Sequence, residues 1–423
     1  MVMDEITSQE PGALVERVAA LDIGKATLTV CIRVPDEGKP GARRQEVRTY
    51  ATLTPALLEL RDWLICQGVT LVVMEATSAY WKPPFYLLED DIECWVVNAR
   101  DVKNVPGRAK TDKLDSVWLA KLAERGMLRA SFIPSRPQRQ LRDLTRYRRT
   151  LTQERTREKQ RAEKLLEDAQ IKLSVVISDI FGKSGRAMLD ALIAGQRNPH
   201  ELAGLARRNI RAQTSVLQEA LTGHFTDHHA FMLGMMLARI DALTTQITTL
   251  TTRIEQATAP LSAQIAQLDE IPGIGITAAQ DLLAEFGTDM SRFPTPGHLV
   301  SWAKFAPKAR QSAGRNKAAS TGKGNPWLGG TLGESAAGAA RTKTFLASRY
   351  KRIVRRRGKQ RALVAVGNSI LTIAWHLLSD PAAHFTDLGP DWHDRLTPLR
   401  RKHHLIAELE RLSGKKVTLH DAS

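Results

Sequence analysis

The chain has 423 residues, is 43% hydrophobic and carries a net charge of +16 with a pI of about 9.9. That is enough apolar material for two or three domains, and so basic a balance favours a polyanionic partner, nucleic acid above all, over a soluble protein with a merely basic surface. No continuous apolar run reaches the roughly 18 residues of a bilayer span, the polar, acid-bearing Met1–Glu16 is no signal peptide, and Cys31, Cys66 and Cys94 are too scattered for a disulfide or zinc framework.

Met1–Glu16 is expected to be disordered, and the three cysteines read as buried thiols in a reducing cytoplasm. Residues 17–134 alternate strand-like and helix-like segments and predict an α/β domain with a mixed sheet. Val18–Ile23 reads as a buried strand, Gly24 as a tight turn, and Leu28, Val30 and Ile32 as a partner strand. Asp22, at the end of the buried strand, is either a turn cap or a cation ligand, because a carboxylate there needs hydrogen bonds or a metal. Thr54 and Pro55 predict a helix start, Thr54 as the cap, and Gly68 its end. Val69–Met74 is a second buried strand ending at Glu75, residues 84–89 begin a short helix, and residues 93–97 form a further strand. A helix starting near Thr111 carries Asp112 and Asp115, three apart and on one face. Favourable interaction with the helix N-terminus explains one of these acids but not two. Two carboxylates after strands and two on a following helix suit a divalent cation, magnesium with manganese as a substitute. A pair of such ions can clamp the attacking and leaving oxygens of a phosphoryl transfer.

Residues 135–164 hold eleven Arg or Lys against four acids in a helical pattern. A solvated face accounts for part of this, and a nucleic-acid-facing helix for the excess, with Arg142, Arg146 and Arg149 as phosphate contacts. Leu233, Met236, Ile240, Leu243, Ile247, Leu250 and Ile254 form a seam of alternating three- and four-residue spacing. It predicts a helical hairpin, a self-pairing coiled coil, or a helix packed on its own domain. Ile271-Pro272-Gly273-Ile274-Gly275 before a small-residue helix suggests a helix-hairpin-helix turn, in which Gly273 and Gly275 present N–H groups to a phosphate; an ordinary interhelical turn is the alternative. The loop from Lys308 to Asn325 is basic and acid-free. It places Ser312 among Arg310, Arg315, Lys317 and Lys323, cations that would stabilise charge developing on a phosphate. Arg341–Arg361 adds ten cations and no acid, residues 370–378 form an apolar helix, and 381–423 is a polar tail. The expected division is therefore 1–16, 17–134, 135–265, 266–380 and 381–423.

Three sets of residues in the first half carry a resemblance: Leu21-Asp22-Ile23-Gly24-Lys25, Met74-Glu75-Ala76-Thr77-Ser78-Ala79-Tyr80-Trp81, and Lys110-Thr111-Asp112-Lys113-Leu114-Asp115. The second half adds Ile-Pro-Gly-Ile-Gly at 271–275, Phe305-Ala306-Pro307, Gln311-Ser312 and Gly322-Lys323-Gly324-Asn325 in the same order. Over about residues 17–380 the chain resembles the DEDD-type transposases of the insertion sequence 110 family, relatives of the pilin-gene DNA invertase. The resemblance implies a RuvC-like, ribonuclease-H-type first domain, a coiled-coil linker and a mainly helical C-terminal transposase domain. It maps the family's metal-binding tetrad onto Asp22, Glu75, Asp112 and Asp115, and its serine nucleophile onto Ser312. It further implies cutting and rejoining of double-stranded donor and target DNA, guided by a structured RNA from the element. A homo-oligomer, dimer or tetramer, is expected in the bacterial cytoplasm, associated with the nucleoid when bound and with no membrane partner. Two departures stand out: Ala313 follows Gln311-Ser312 where the family has Gly, and Gly329 follows Leu328 where it has Arg. The rival readings are a RuvC-like two-metal nuclease and a non-catalytic nucleic-acid-binding protein.

Overall fold

The structure is a computed structural model that describes residues 8–9, 15–98, 112–207, 213–307, 311–312, 315–316, 321–395 and 398–417. The chain divides into two compact units, Met1–Ile133 and Pro134–Ser423.

The first unit is a sheet covered by helices on both faces. Its strands are β1 (Ser8–Gln9), β2 (Val18–Ile23), β3 (Thr27–Pro35), β4 (Ala42–Ala51), β5 (Leu71–Glu75) and β6 (Glu93–Val97), in the order β1-β4-β3-β2-β5-β6. The short β1 brings Ser8 and Gln9, in a segment expected to be disordered, against Arg43 and Ala42. β2, β3 and β4 form an antiparallel meander, whereas β5 runs parallel to β2 and β6 parallel to β5. The change of sense follows from the connections: a tight turn with a Gly24 N–H to Thr27 carbonyl bond of 2.9 Å reverses the chain, and a helix returns it parallel. That helix, α1 (Thr54–Cys66), buries Leu57, Leu60 and Leu64, the i, i+3, i+7 stripe. Thr54 is its first residue rather than its cap; Leu53 occupies the cap position and no side chain bonds there.

The side chains of each strand alternate between two cores. Ala19, Leu21, Val72 and Met74 meet α1 and α2 (Lys82–Leu88) on one face. Val18, Ala20, Leu71, Val73 and Val97 meet α3 (Asp112–Glu124) on the other, through Leu119, Ala120, Leu122 and Ala123.

In the second unit two long helices pair. α4 (Arg136–Asp168) packs along a later helix, Asp227–Thr258, and Asp168 meets His229 at 3.1 Å while Leu141 shares a core with Ile254. These pairings make the two helices antiparallel, the hairpin alternative for the apolar seam. Leu233, Ile240, Leu243 and Ile254 of that seam are buried, while Met236, Ile247 and Leu250 are partly exposed. Between the pair lie α5 (Lys183–Ile193) and the short helices Leu173–Val176, Pro199–Gly204 and Thr214–Ala220, which close a core of their own. With Asp227–Thr258 as α6, the chain continues through α7 (Ser262–Asp269), α8 (Ile276–Phe286), α9 (Pro296–Trp302), α10 (Pro326–Ala339), α11 (Phe345–Arg357), α12 (Lys359–Ser379) and, in the tail, α13 (Pro398–Ser413).

α12 corrects the expectation that no segment is long and apolar enough for a bilayer, since its 21 residues meet that test by length and composition. Here it is a core helix: Val366, Ile370, Leu371 and Ala374 are fully buried against Leu283, Leu299, Leu332 and their neighbours.

Candidate active site

Asp22 is the last residue but one of β2, and Glu75 ends β5. Val18 to Leu21 pair with Leu71 to Met74, and one further step of that parallel register sets Asp22 beside Glu75. Both fall in phase with residues packed under α3, namely Val18 and Ala20 for Asp22 and Leu71 and Val73 for Glu75. The two carboxylates therefore share the α3 face at the carboxyl edge of parallel strands, the edge where α/β sheets bind ligands.

The direction of α3 places the other pair. Its last residue, Glu124, accepts a hydrogen bond from Arg33 Nε at 2.6 Å, and Arg33 lies opposite Val18, the first residue of β2. Glu124 is also 2.5 Å from Arg43 Nε, and all three side chains are buried. Running back from this anchor, α3 rises about 13 Å to Asp115. β2 covers about the same distance from Val18 to Asp22. The two spans match in length, and Asp22 and Asp115 are both partly buried. Asp112 begins the helix one turn earlier; its side chain lies outside the described residues.

Carboxylate oxygens suit magnesium or manganese better than zinc, which favours sulfur and nitrogen. Among the described residues no group of three or more His, Cys, Asp or Glu side chains sits close enough to hold a metal. After Glu75 the backbone turns sharply: the Thr77 N–H donates to the Glu75 carbonyl at 2.8 Å, and Ser78 has φ +48°. A non-glycine residue in that region carries strain, which clusters where a backbone must present functional groups.

In the second unit, Gln311–Ser312 (β7) pairs antiparallel with Arg315–Asn316 (β8), Ser312 opposite Arg315. The side chains of Ser312 and Arg315, and all of Arg310 and Lys317, lie outside the described residues. The loop that carries this hairpin is closed at its base, because Gly324 packs on the carbonyl of Ala303, where a β-carbon would stand only 2.7 Å from the oxygen. Lys323 is exposed there. Asn325 caps α10, its side chain accepting from the Trp327 N–H at 2.9 Å, while its amide donates to Glu285 at 2.5 Å.

Glu285, almost fully buried in α8, also takes a two-bond contact from Arg146 at 2.8 Å each. Arg142 donates to the carbonyls of Ala284 and Glu285. Burial, opposed by Glu285, depresses the Arg142 guanidinium to about 10. Arg149 donates to Thr331 at 3.1 Å and to Glu334 at 2.6 Å. This corrects the reading of Arg142, Arg146 and Arg149 as phosphate contacts: their charges hold α4 onto α8 and α10. Gly273 has φ +90° and lies against α10, where a β-carbon would stand 2.2 Å from the Ser335 carbonyl. Helix packing thus accounts for glycine at 273, the ordinary interhelical turn, and Gly275 is the N-cap of α8.

Sequence reasoning missed Glu124 and Glu285. The one signal for Glu285 is a charge set among Leu282, Leu283 and Phe286 on an apolar helix; nothing local marks Glu124.

A mixed sheet with acids at its carboxyl edge, together with a basic helical unit, is the layout of a protein that acts on nucleic acid. Two family profiles match the chain: a DEDD-type IS110 profile described as Transposase over residues 19–171, and Transposase IS116/IS110/IS902 family over residues 265–351. The chain belongs to the IS110 family of transposases, enzymes that cut and rejoin DNA. No curated protein matches the chain.

Proposed function

We propose that this transposase recombines DNA through a metal-binding tetrad, Asp22, Glu75, Asp112 and Asp115, and a serine nucleophile, Ser312. The observation that supports the reading is the parallel register that sets Asp22 beside Glu75 at the carboxyl edge of the sheet, on the face that α3 covers. The order β4-β3-β2-β5-β6, three strands antiparallel and two parallel, supports a RuvC-like, ribonuclease-H-type fold for this unit. Magnesium bound there would offset negative charge gathering on a phosphoryl group in the transition state. The carboxylates would fix the cation in position before the reaction, which is how a preorganised site accelerates a step.

Ser312 Oγ attacks a backbone phosphorus; an Oγ–P bond forms and one P–O bond of the DNA strand breaks. The departing oxygen becomes a hydroxyl, with the proton balance closed by the one that Ser312 loses. Attack by a second strand's hydroxyl on the phosphoserine restores both the serine and the phosphodiester, so bond count is conserved and no nucleotide cofactor is consumed. Choice of donor and target is assigned to an element-encoded RNA that base-pairs with both DNAs, and the working form to a homo-oligomer in the cytoplasm.

The test is strand transfer and covalent capture with purified protein, guide RNA and labelled DNA. Ser312→Ala is expected to abolish strand transfer and the protein–DNA adduct, and Asp22→Asn to abolish strand transfer while leaving DNA binding intact. Full-rate cleavage by Ser312→Ala overturns the serine step in favour of a two-metal nuclease. Undiminished recombination by Asp22→Asn overturns the metal site.

A further inference from the structure

The two basic stretches of the sequence differ in what their charges do. Those at the start of α4 are consumed by Glu285, Asp281 and Glu334. Those of α11 are not: between Glu334 and Asp380 the chain has no acid. Among the described residues no ion pair or side-chain hydrogen bond is made by Arg349, Arg352 or Arg356. At the helix start, Asp387 accepts from the Phe345 N–H at 3.0 Å.

At about 100° per residue these three arginines fall within a ~60° arc and along ~10 Å of the helix. Ala347 on the opposite face and Leu346 beside Arg349 are both buried, so the arc is fixed relative to the core. Arg349 is half-buried, and its Nε is shielded from solvent without a partner. Burial, followed by the nearby Arg352, pulls its guanidinium below the usual arginine range. A partly desolvated cation set near another cation is unfavourable by itself and is relieved by an anion. No exposed large aromatic lies on α11, Tyr350 being packed on the core, so the face lacks the stacking platform of a single-strand binder.

We propose that Arg349, Arg352 and Arg356 form a phosphate-binding face on α11 that docks the backbone of duplex DNA. The proposal rests on the chain's role as a DNA transposase and adds a binding surface to it. It is independent of base sequence, because guanidinium–phosphate contacts position a duplex without reading it.

Full-length protein is titrated with a fluorescent DNA duplex of arbitrary sequence over a range of salt concentrations. Arg352→Gln with Arg356→Gln is expected to weaken binding ~10-fold near 0.1 M salt and to lower the log–log salt slope by about 0.9 for each phosphate no longer neutralised. Its melting temperature is expected to stay or rise, since a like-charge pair is relieved. Arg253→Gln, an exposed cation on α6, is the control and leaves affinity unchanged. Unchanged affinity and slope in the double variant overturn the proposal, as does a loss confined to structured RNA or one that tracks a fall in melting temperature. At saturating DNA the double variant still forms the serine adduct, so failure of the docking face and failure of the serine chemistry are read separately.

Discussion

Ser78 shows how much a single residue carries at the edge of the sheet. It follows Glu75 by three positions and sits in the left-handed region that favours glycine. An L-residue there costs about 1–2 kcal/mol, and glycine gives back part of the gain through its larger unfolded-state entropy. Ser78→Gly is therefore expected to raise stability by about 0.5–1 kcal/mol in denaturant unfolding, with strand transfer retained. A loss of activity would show that the hydroxyl is used. The cysteines make a second residue-scale case. They were expected to be buried alike, yet Cys66 is exposed at the end of α1 while Cys31 is buried and Cys94 partly so. Burial penalises the thiolate and pushes Cys31 and Cys94 up to about 12. Both therefore stay protonated through pH 8–10, and alkylation of the native protein followed by mass spectrometry is expected to label Cys66 alone.

At the scale of the element, α3 is the decisive piece. Its apolar face explains why it covers the sheet, but leaves its sliding position open, and the ion cluster of Glu124 with Arg33 and Arg43 settles it. Removing one member of a buried ion cluster leaves uncompensated charge and costs about 3–5 kcal/mol. Glu124→Gln strands two arginines, so a stability loss of that order is expected in chemical denaturation. Where the variant remains folded, the magnesium concentration giving half-maximal strand transfer is expected to rise as Asp115 drifts from Asp22. An unchanged magnesium requirement would show that α3 is held by its apolar face alone. Glu285 plays the corresponding part in the second unit, tying α4 to the Asn325 cap of α10.

Across the whole molecule, each unit has its own cores: two flank the sheet of the first, and the helices of the second enclose separate ones. A unit that buries its own apolar surface can fold alone. A fragment comprising residues 1–133, the first compact unit, is expected to melt cooperatively, as followed by circular dichroism; a non-cooperative melt would show that it depends on the rest of the chain.

Much of the fold was legible because period and punctuation are local. The strands around Asp22 and Glu75, the helix closed by Gly68 and the long α4 follow from apolar spacing and turn residues. So did the family, through short motifs kept in order. Charge could not be read this way. Arg142 and Arg352 look alike in a basic helical stretch, yet one is neutralised by Glu285, 143 residues away, and the other makes no ion pair among the described residues. The sequence by itself determined which segments are strands and helices, which carboxylates end them, and to which transposases the chain is related. Only the tertiary structure decided which charges remain for a partner and how far along the sheet α3 sits, because both depend on pairings between residues distant in the chain that no local spacing encodes.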